Sequence, residues 1–251
     1  MLTAIMQPTF LPWCGYFDLI DQVDLFVFLD SAQFEKQTWQ QRNRIKTPAG
    51  LDWLTVPVFN TNRFGQTIRE VEIKAGEFPG KHLRTLRQHY ARCPYFKEYA
   101  EELEVRLCSA EHHRSLVRLN VELIRWMASV FGIQTPLIFA SEIPGEEARS
   151  ERLVSILRHI GSNAYRSPRG SVGYLEKDKF IFKRAGISVS VQTYEHPAYD
   201  QRYAPFCAGA SAIDLLFNEG PSAGEILRSG RRLPETLEAL TSKEGLPDED
   251  R

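Results

Sequence analysis

The 251-residue sequence has few cysteines and no apolar run near the ~20 residues that are needed to cross a bilayer. Its four cysteines lie far apart and form no C-x-x-C pair, so we expect reduced thiols and no disulfide framework. The N-terminal apolar run is short and is followed by Gln7 and two prolines, which is not typical of a secretory signal peptide. These absences predict a soluble, cytoplasmic protein without a membrane span.

The sequence also lacks an excess of charge and the common catalytic signatures. Its net charge of −1 argues against a nucleic-acid partner, because such binding needs a strongly basic surface. It contains no G-x-G-x-x-G, no Walker A loop and no G-x-S-x-G elbow. No two pairs of histidines and cysteines have metal-ligand spacing, so we expect no metal site, and the sequence identifies no cofactor.

Short apolar runs alternate with segments of helical periodicity along the chain. The run at residues 25–29 is continuously apolar and is followed by Asp30, as in a strand buried on both faces. This alternation predicts an α/β fold, with a Rossmann-like, mostly parallel sheet and flanking helices. The predicted strands are 2–6, 25–29, 137–140, 164–166 and 187–194, with two further strands at 51–58 and 68–73.

We expect a single α/β domain over residues 1–241, because no low-complexity linker or repeat divides the chain. The segment at about 80–131 has helical periodicity throughout and is predicted to be a helical insertion. Residues 242–251 are polar and acidic, which predicts a disordered tail.

The turn after the first predicted strand is the first candidate site. Ligands of open α/β sheets bind beyond the carboxyl ends of the strands. Glycine allows a close approach of the backbone there, and a glutamine can bind a carboxylate, amide or hydroxyl group without carrying charge. We therefore predict a small-molecule site that includes Gln7, Thr9, Gly15 and Tyr16. The alternative is a rigid structural turn with Trp13 and Tyr16 in the core.

A polar segment follows the second predicted strand and should lie at the same edge of the sheet. Arginine offers a planar fork for carboxylate or phosphate, and lysine offers a point charge. The segment could therefore bind an anionic group, or it could be a solvated basic loop. Its polar residues are Asp30, Gln33, Lys36, Gln37, Arg42, Asn43, Arg44 and Lys46, and all of them except Gln37 and Arg44 are candidate site residues.

Three later segments carry weaker signals. Ser167 and Arg169 lie at a strand-to-helix junction that could form an anion-binding nest or a capped turn. A basic helix at 81–92 could hold a polyanion or be an ordinary solvated surface. His196 could act as a general base, since imidazole titrates near neutral pH, or be a polar surface residue.

Several of these segments together resemble the WbqC-like proteins. One departure lies at Pro168, in a loop where the family usually has a Ser-Gly pair. The matching residues cover most of 1–227: QPTFLPWCGYF at 7–17, Asp30, Gln33, Arg42, Asn43, WLTVPV at 53–58, Tyr199, Gln201, Phe206 and SAIDLLFN with Gly220 at 211–220.

The resemblance implies a transferase that acts in bacterial surface-polysaccharide biosynthesis of the O-antigen type. The transferred group would be an acyl or aminoacyl group such as glycine. The substrate would be a small-molecule or carrier-linked anion. Gln7 and Asp30 would orient the acceptor, and His196 or Asp214 would move a proton. Tyr199 and Gln201 would contact the substrate. Arg42, Asn43 and Lys46 would hold the anionic group.

Two other functions stay open. The first turn is also similar to that of the nucleotidyltransferase and pantothenate-synthetase superfamily, which predicts an ATP-dependent nucleotidyltransferase or ligase. That superfamily has two histidines in the turn, where this chain has residues such as Cys14 and Tyr16. The other alternative is a non-catalytic ligand-binding or assembly protein. No oligomeric state is predicted.

Overall fold

A computed structural model describes residues 1–61, 63–74, 76–237 and 239–240. Its strands are β1 (Leu2–Met6), β2 (Leu25–Phe28), β3 (Arg42–Thr47), β4 (Gly50–Thr55), β5 (Leu137–Phe139), β6 (Ala164–Ser167), β7 (Ser188–Val191) and β8 (Glu235–Thr236). The main sheet has the strand order β5-β2-β1-β6-β7-β8, and all neighbouring strands are parallel except the pair β7 and β8. The predicted α/β, Rossmann-like and mostly parallel fold is therefore confirmed.

Helices connect the strands and cover both faces of the sheet. The division into one domain and a tail stays a prediction, and residues 242–251 lie outside the described residues. The helices are α1 (Cys14–Asp21), α2 (Gly80–Tyr90), α3 (Phe96–His113), α4 (Leu116–Val130), α5 (Arg149–His159), α6 (Val172–Lys177), α7 (Lys179–Arg184), α8 (Ala212–Glu219) and α9 (Ala223–Ser229).

The two faces of the sheet pack into separate hydrophobic clusters because side chains alternate along each strand. Ala4, Phe26 and Phe28 belong to the cluster that includes residues of α1, α4 and α8. Ile5 and Val27 belong to the cluster on the opposite face, with residues of α5, α6 and α7. As the sequence predicted, β2 is continuously apolar because both faces of the sheet are buried there.

The direction in which strands are added reverses at β1. The chain adds β2 and then β5 on one side of β1, and β6 and β7 on the other. Such a reversal leaves a crevice at the carboxyl ends of the two strands that flank it, and ligands of open α/β sheets bind there. In this fold the crevice lies beyond Met6 at the end of β1 and Ser167 at the end of β6.

Two sequence-based predictions of local structure were wrong. Residues 68–73 do not form a strand: Ile68–Glu70 is a 3-10 turn, closed by the Glu70 carboxylate, which accepts hydrogen bonds from the N–H and hydroxyl of Thr67. The basic segment after β2 does not stay a loop: its last part is β3, which pairs with β4 as an antiparallel hairpin. The sequence of β3 does not show the apolar–polar alternation of a strand, because the buried position 43 is occupied by a polar residue. Asn43 is as buried as Ile45, two residues further along the same face.

The basic helix α2 also differs from a purely solvated surface. His82 is only 4% exposed, and its ring packs edge-on against Phe78 and Phe10. Burial lowers the pKa of His82 from its usual 6.5 to about 4, because the charged imidazolium loses its hydration there. At neutral pH this histidine is therefore a neutral part of the core.

Acidification should destabilise the protein through His82. The imidazole of the unfolded chain takes up a proton below pH 6.5, whereas the folded chain resists it until about pH 4. The contribution of His82 to the free energy of unfolding therefore falls by about 2 kcal/mol between pH 7 and pH 5. We expect urea unfolding to show a smaller loss over this range for His82→Phe and His82→Gln, and equal losses in all three proteins would contradict the prediction.

Candidate functional site

A cleft of about 580 Å³ lies at the reversal of strand order, between the β1–α1 turn and the segment that follows β6. The β3–β4 hairpin and the segments at 192–194 and 209 complete its walls. Its lining residues are Met6, Thr9, Trp13, Gly15, Tyr16, Trp39, Asn43, Arg44, Pro168, Arg169, Gly170, Ser171, Gln192, Tyr194 and Gly209.

The cleft carries positive charge without a compensating acid. Arg44 and Arg169 line it, and none of the described lining residues has a carboxylate. Arg169 is exposed, and a guanidinium N–H of Arg44 is 3.5 Å from the carbonyl oxygen of Gly209. Within the described part of the chain neither arginine forms an ion pair, and the buried Nε of Arg44 has no hydrogen-bond partner. The electrostatics therefore favour an anionic ligand.

Aromatic side chains form much of the remaining wall. The indole of Trp13 lies over Gly15 so closely that a Cβ on Gly15 would clash with the ring carbons. Trp13 is 36% exposed, so the alternative that placed it in the core is wrong for this residue. Tyr16 is buried, and its hydroxyl donates a hydrogen bond to the carbonyl oxygen of Gln7 at 3.0 Å. Tyr16 therefore supports the turn as well as lining the cleft.

Two buried asparagines hold the β1–α1 turn in place. The Asn43 amide donates to the carbonyl oxygens of Phe10 and Leu11 at 3.1 and 2.8 Å. The Asn120 amide donates to the carbonyl oxygens of Pro8 and Gln40 at 3.1 and 2.8 Å. Leu11 has a φ of 41°, a conformation that L-residues seldom adopt, so these contacts hold a strained turn.

Gln7 contacts the segment before β3 and does not line the cleft. Its side-chain oxygen accepts a hydrogen bond from the Gln40 amide at 2.9 Å. The same amide lies 3.5 Å from the carbonyl oxygen of Gln33, and the Gln40 side-chain oxygen accepts from the N–H of Glu35. Gln7 therefore positions the segment that carries Trp39.

Three other predicted residues have partners within the protein. Both carboxylate oxygens of Asp30 accept hydrogen bonds from Ser141, from its N–H at 3.0 Å and its hydroxyl at 2.6 Å. The ammonium of Lys46, 2% exposed, donates to the carbonyl oxygen of Pro205 at 2.6 Å and lies 3.0 Å from the Cys207 sulfur. The hydroxyl of Ser167 donates to the carbonyl oxygen of the next residue at 3.1 Å.

Asp214 is the centre of a buried network next to β3. Its carboxylate accepts hydrogen bonds from the Tyr199 hydroxyl at 2.6 Å and from the Gln201 amide at 2.9 Å. Burial raises the pKa of Asp214, although these hydrogen bonds and the Lys46 charge oppose the shift. Asp214, Tyr199 and Gln201 do not line the cleft.

His196 lies behind the aromatic wall of the cleft. Its ring stacks on Trp13, with centroids 6.2 Å apart and an interplanar angle of 21°. Its Nδ1 is 3.0 Å from the carbonyl oxygen of Pro197. Burial lowers the pKa of His196, so the imidazole is neutral at pH 7 and able to accept a proton.

Comparison with known proteins identifies the family of this chain. The sequence pattern that defines the WbqC-like protein family matches residues 7–226. The chain belongs to the WbqC-like family. It is 36% identical over 230 residues to the uncharacterized protein Rv1507c of Mycobacterium tuberculosis, which covers 91% of this chain and 98% of that protein. No solved structure matches the chain.

The structure brings together only part of the predicted set. Arg42 lies on the hairpin beside the cleft, where its guanidinium stacks on Trp53. Lys36 is exposed and outside the lining. The predicted residues that line the cleft are Thr9, Gly15, Tyr16, Asn43 and Arg169.

The prediction missed several lining residues of this WbqC-like chain. Trp39 and Tyr194 had no role in it, and Arg44 was named in the basic segment but was not chosen as a candidate site residue. Arg44 shares a strand face with Arg42 because side chains alternate along β3. The signal that could have found it was this two-residue spacing, together with the tryptophans on either side of the basic run at positions 39 and 53.

The described residues offer neither a metal centre nor a membrane-spanning helix. They contain no group of three His, Cys, Asp or Glu side chains that could hold a metal ion. Among them, no helix has the length and apolar character that are needed to cross a membrane.

Replacing Asn43 should loosen the turn in this WbqC-like protein. Asn43→Ala leaves the buried carbonyl oxygens of Phe10 and Leu11 without donors, which we expect to lower the free energy of unfolding by about 3 kcal/mol. Denaturant unfolding measures the change. Asn163→Ala, at an exposed position, is the control and should change stability by less than about 0.5 kcal/mol. Equal effects of the two variants would contradict the assigned role of Asn43.

Proposed function

We propose that this protein is a transferase that binds a small or carrier-linked anionic substrate in the cleft. The group it transfers would be an acyl or aminoacyl group, with glycine as one candidate, and the acceptor would be a bacterial surface polysaccharide of the O-antigen type or its precursor. The observation that carries the proposal is the pair Arg44 and Arg169 in a cleft whose described lining has no carboxylate.

The chemistry of the lining supports this choice of substrate. A guanidinium binds carboxylate or phosphate through two parallel N–H groups, which fixes the orientation of the anion as well as attracting it. Trp13, Trp39 and Tyr194 present apolar surface to the rest of the ligand. A site that combines these features suits a substrate with a charged end and an apolar or ring-shaped body.

Acyl transfer also needs a proton acceptor. An acceptor hydroxyl or amine attacks the acyl carbon, the bond to the leaving group breaks, and the proton of the attacking group passes to a base. His196 is the proposed base, because burial lowers its pKa and favours the neutral imidazole, and its ring stacks on Trp13, which lines the cleft. A catalytic role of Asp214 stays a prediction, and its contacts with Tyr199 and Gln201 support a positioning role for it.

The position of the cleft favours a second candidate, an ATP-dependent nucleotidyltransferase or ligase. Nucleotides bind at the reversal of strand order in many doubly wound sheets, next to a glycine at the first strand-to-helix turn. Gly15 lines the cleft at that place, and Arg169 could bind the phosphates that histidines bind in the similar superfamily. Stabilisation of the protein by millimolar ATP with magnesium in a thermal shift measurement would favour this candidate.

A non-catalytic binding protein is the remaining alternative. The thiol of Cys14, the first residue of α1, is fully buried, and burial raises its pKa far above the usual range. This group is therefore not available as a nucleophile at neutral pH. Binding of an anionic ligand without any transferred group would support this alternative.

The transferase proposal can be tested in a bacterial host from which the native copy has been deleted. We expect the deletion to remove one acyl or aminoacyl substituent from the surface polysaccharide, as measured by mass spectrometry. Arg169→Ala should restore the substituent at least about tenfold more slowly than the wild-type protein, because one charge-assisted contact to the substrate is lost.

Arg92→Ala is the matched control, because Arg92 is an exposed arginine just beyond α2 and outside the cleft lining. It should restore the substituent at the wild-type rate. A polysaccharide that is unchanged by the deletion, or Arg169→Ala at the wild-type rate, would contradict the proposal.

A further inference from the structure

We propose that the exposed face of the β3–β4 hairpin extends the cleft and binds a ring joined to a diphosphate. We call this surface the hairpin face and define it by Trp39, Arg42, Arg44 and Trp53. The inference rests on the proposed function, since it assigns the chemical class of the anionic substrate that the cleft receives.

The hairpin places two arginines on one surface. Arg42 and Arg44 are two residues apart in β3, so their side chains leave the same face of the strand. Arg44 lies opposite Trp53 in the antiparallel register, and Trp39 comes within 5.2 Å of Trp53 between ring centroids. Asn43 points the other way and holds the β1–α1 turn, which fixes the orientation of the pair.

The arginines are held by aromatic rings and not by carboxylates. The guanidinium carbon of Arg42 is 4.0 Å from the centroid of Trp53, and that of Arg44 is 5.4 Å from Trp39 and 5.8 Å from Trp53. In the part of the chain that the structure describes, neither arginine has an ion pair, and the buried Nε of each lacks a partner. One N–H of Arg44 reaches the carbonyl oxygen of Gly209 at 3.5 Å, but no carboxylate neutralises either guanidinium in the described residues, so their remaining N–H groups can bind phosphoryl oxygens.

The indoles offer a surface on which a ring can stack. Trp39 is 46% exposed and Trp53 is 42% exposed, although both are large apolar side chains. Two neighbouring exposed indoles beside unpaired arginines combine the features by which proteins bind phosphate-linked rings, with stacking for the ring and charge for the phosphate. Lone phosphate would leave the indole surface uncovered.

The hairpin face is continuous with the cleft. Trp39 and Arg44 belong to both, whereas Arg42 and Trp53 belong only to the hairpin face. With Arg169 at the other wall, three arginines without described acidic partners lie along one path, which favours a ligand with more than one negative charge. Arg42 and Arg44 are roughly 6.6 Å apart along the strand, so their long side chains can reach adjacent phosphoryl groups of one diphosphate.

Calorimetric titration of the full-length protein with inorganic pyrophosphate, UDP and UDP-glucose tests the inference. We expect UDP or UDP-glucose to bind at least about tenfold more tightly than pyrophosphate, since stacking adds to the phosphate contacts. Arg42→Ala should weaken the binding of all three compounds by about tenfold, because each contains the diphosphate.

Trp53→Ala shows which ring of the ligand, the base or the sugar, stacks on the hairpin face. Loss of the advantage of UDP over pyrophosphate would show that the base stacks there, and loss of the advantage of UDP-glucose over UDP would show that the sugar does. Trp53→Phe should retain most of the advantage because it keeps an aromatic ring. Arg106→Ala is the control, since Arg106 also stacks on a tryptophan, Trp126, and neither residue lines the cleft.

The inference is overturned if the wild-type protein binds none of the three compounds at millimolar concentration, or if UDP and UDP-glucose bind no more tightly than pyrophosphate. Wild-type affinities in both Arg42→Ala and Trp53→Ala would also overturn it. If Arg169→Ala then loses restoration of the polysaccharide in cells while the hairpin variants keep it, the proposed function stands without this ligand class.

Discussion

The β1–α1 turn directs several of its carbonyl groups into the protein, and each of these needs a hydrogen-bond donor because water does not reach it. Asn43 and Asn120 supply the donors for three of them, the carbonyl oxygens of Pro8, Phe10 and Leu11. Asn43 is also part of β3, and its side-chain oxygen accepts the N–H of Arg44 at 2.8 Å. The Asn43 side chain therefore holds the β1–α1 turn and contacts the backbone of Arg44, so the position of the turn is coupled to that of Arg44.

A second set of contacts fixes the other side of the cleft. The Gln192 amide donates to the carbonyl oxygen of Gly15 at 2.8 Å and to the carboxylate of Asp18 at 2.7 Å. Asp18 is fully buried and is paired with Arg231 at 2.8 Å, while Arg228 is paired with Asp21. These contacts join α1 to residues more than 170 positions later in the chain. The floor of the cleft therefore depends on the ends of β7 and α9 as much as on the turn.

A structural feature was predictable from the sequence when the residues that cause it are adjacent in the chain, and was not predictable when they are distant. The strands of the sheet were predictable because an apolar run such as β2 contains its own reason for burial. The buried polar residues were not, because Lys46, Asp30 and Gln192 are buried only where distant partners meet them. For the same reason the candidate site that the sequence predicted at the end of β1 included Asp30 and Lys46, whose hydrogen-bonding groups contact other parts of the protein.

Arg42 and Arg44 of the hairpin face are positioned by indole rings, and this affects how well they could bind the proposed anion. A carboxylate partner would position a guanidinium equally well, but it would neutralise the charge and occupy the N–H groups that an anion needs. An indole positions the guanidinium through its face and leaves both the charge and the N–H edge available. Arg42 and Arg44 stack on Trp53 and Trp39 in this second manner. The proposed ligand would therefore meet arginines that the indoles already position, which lowers the free-energy cost of reorganising the site.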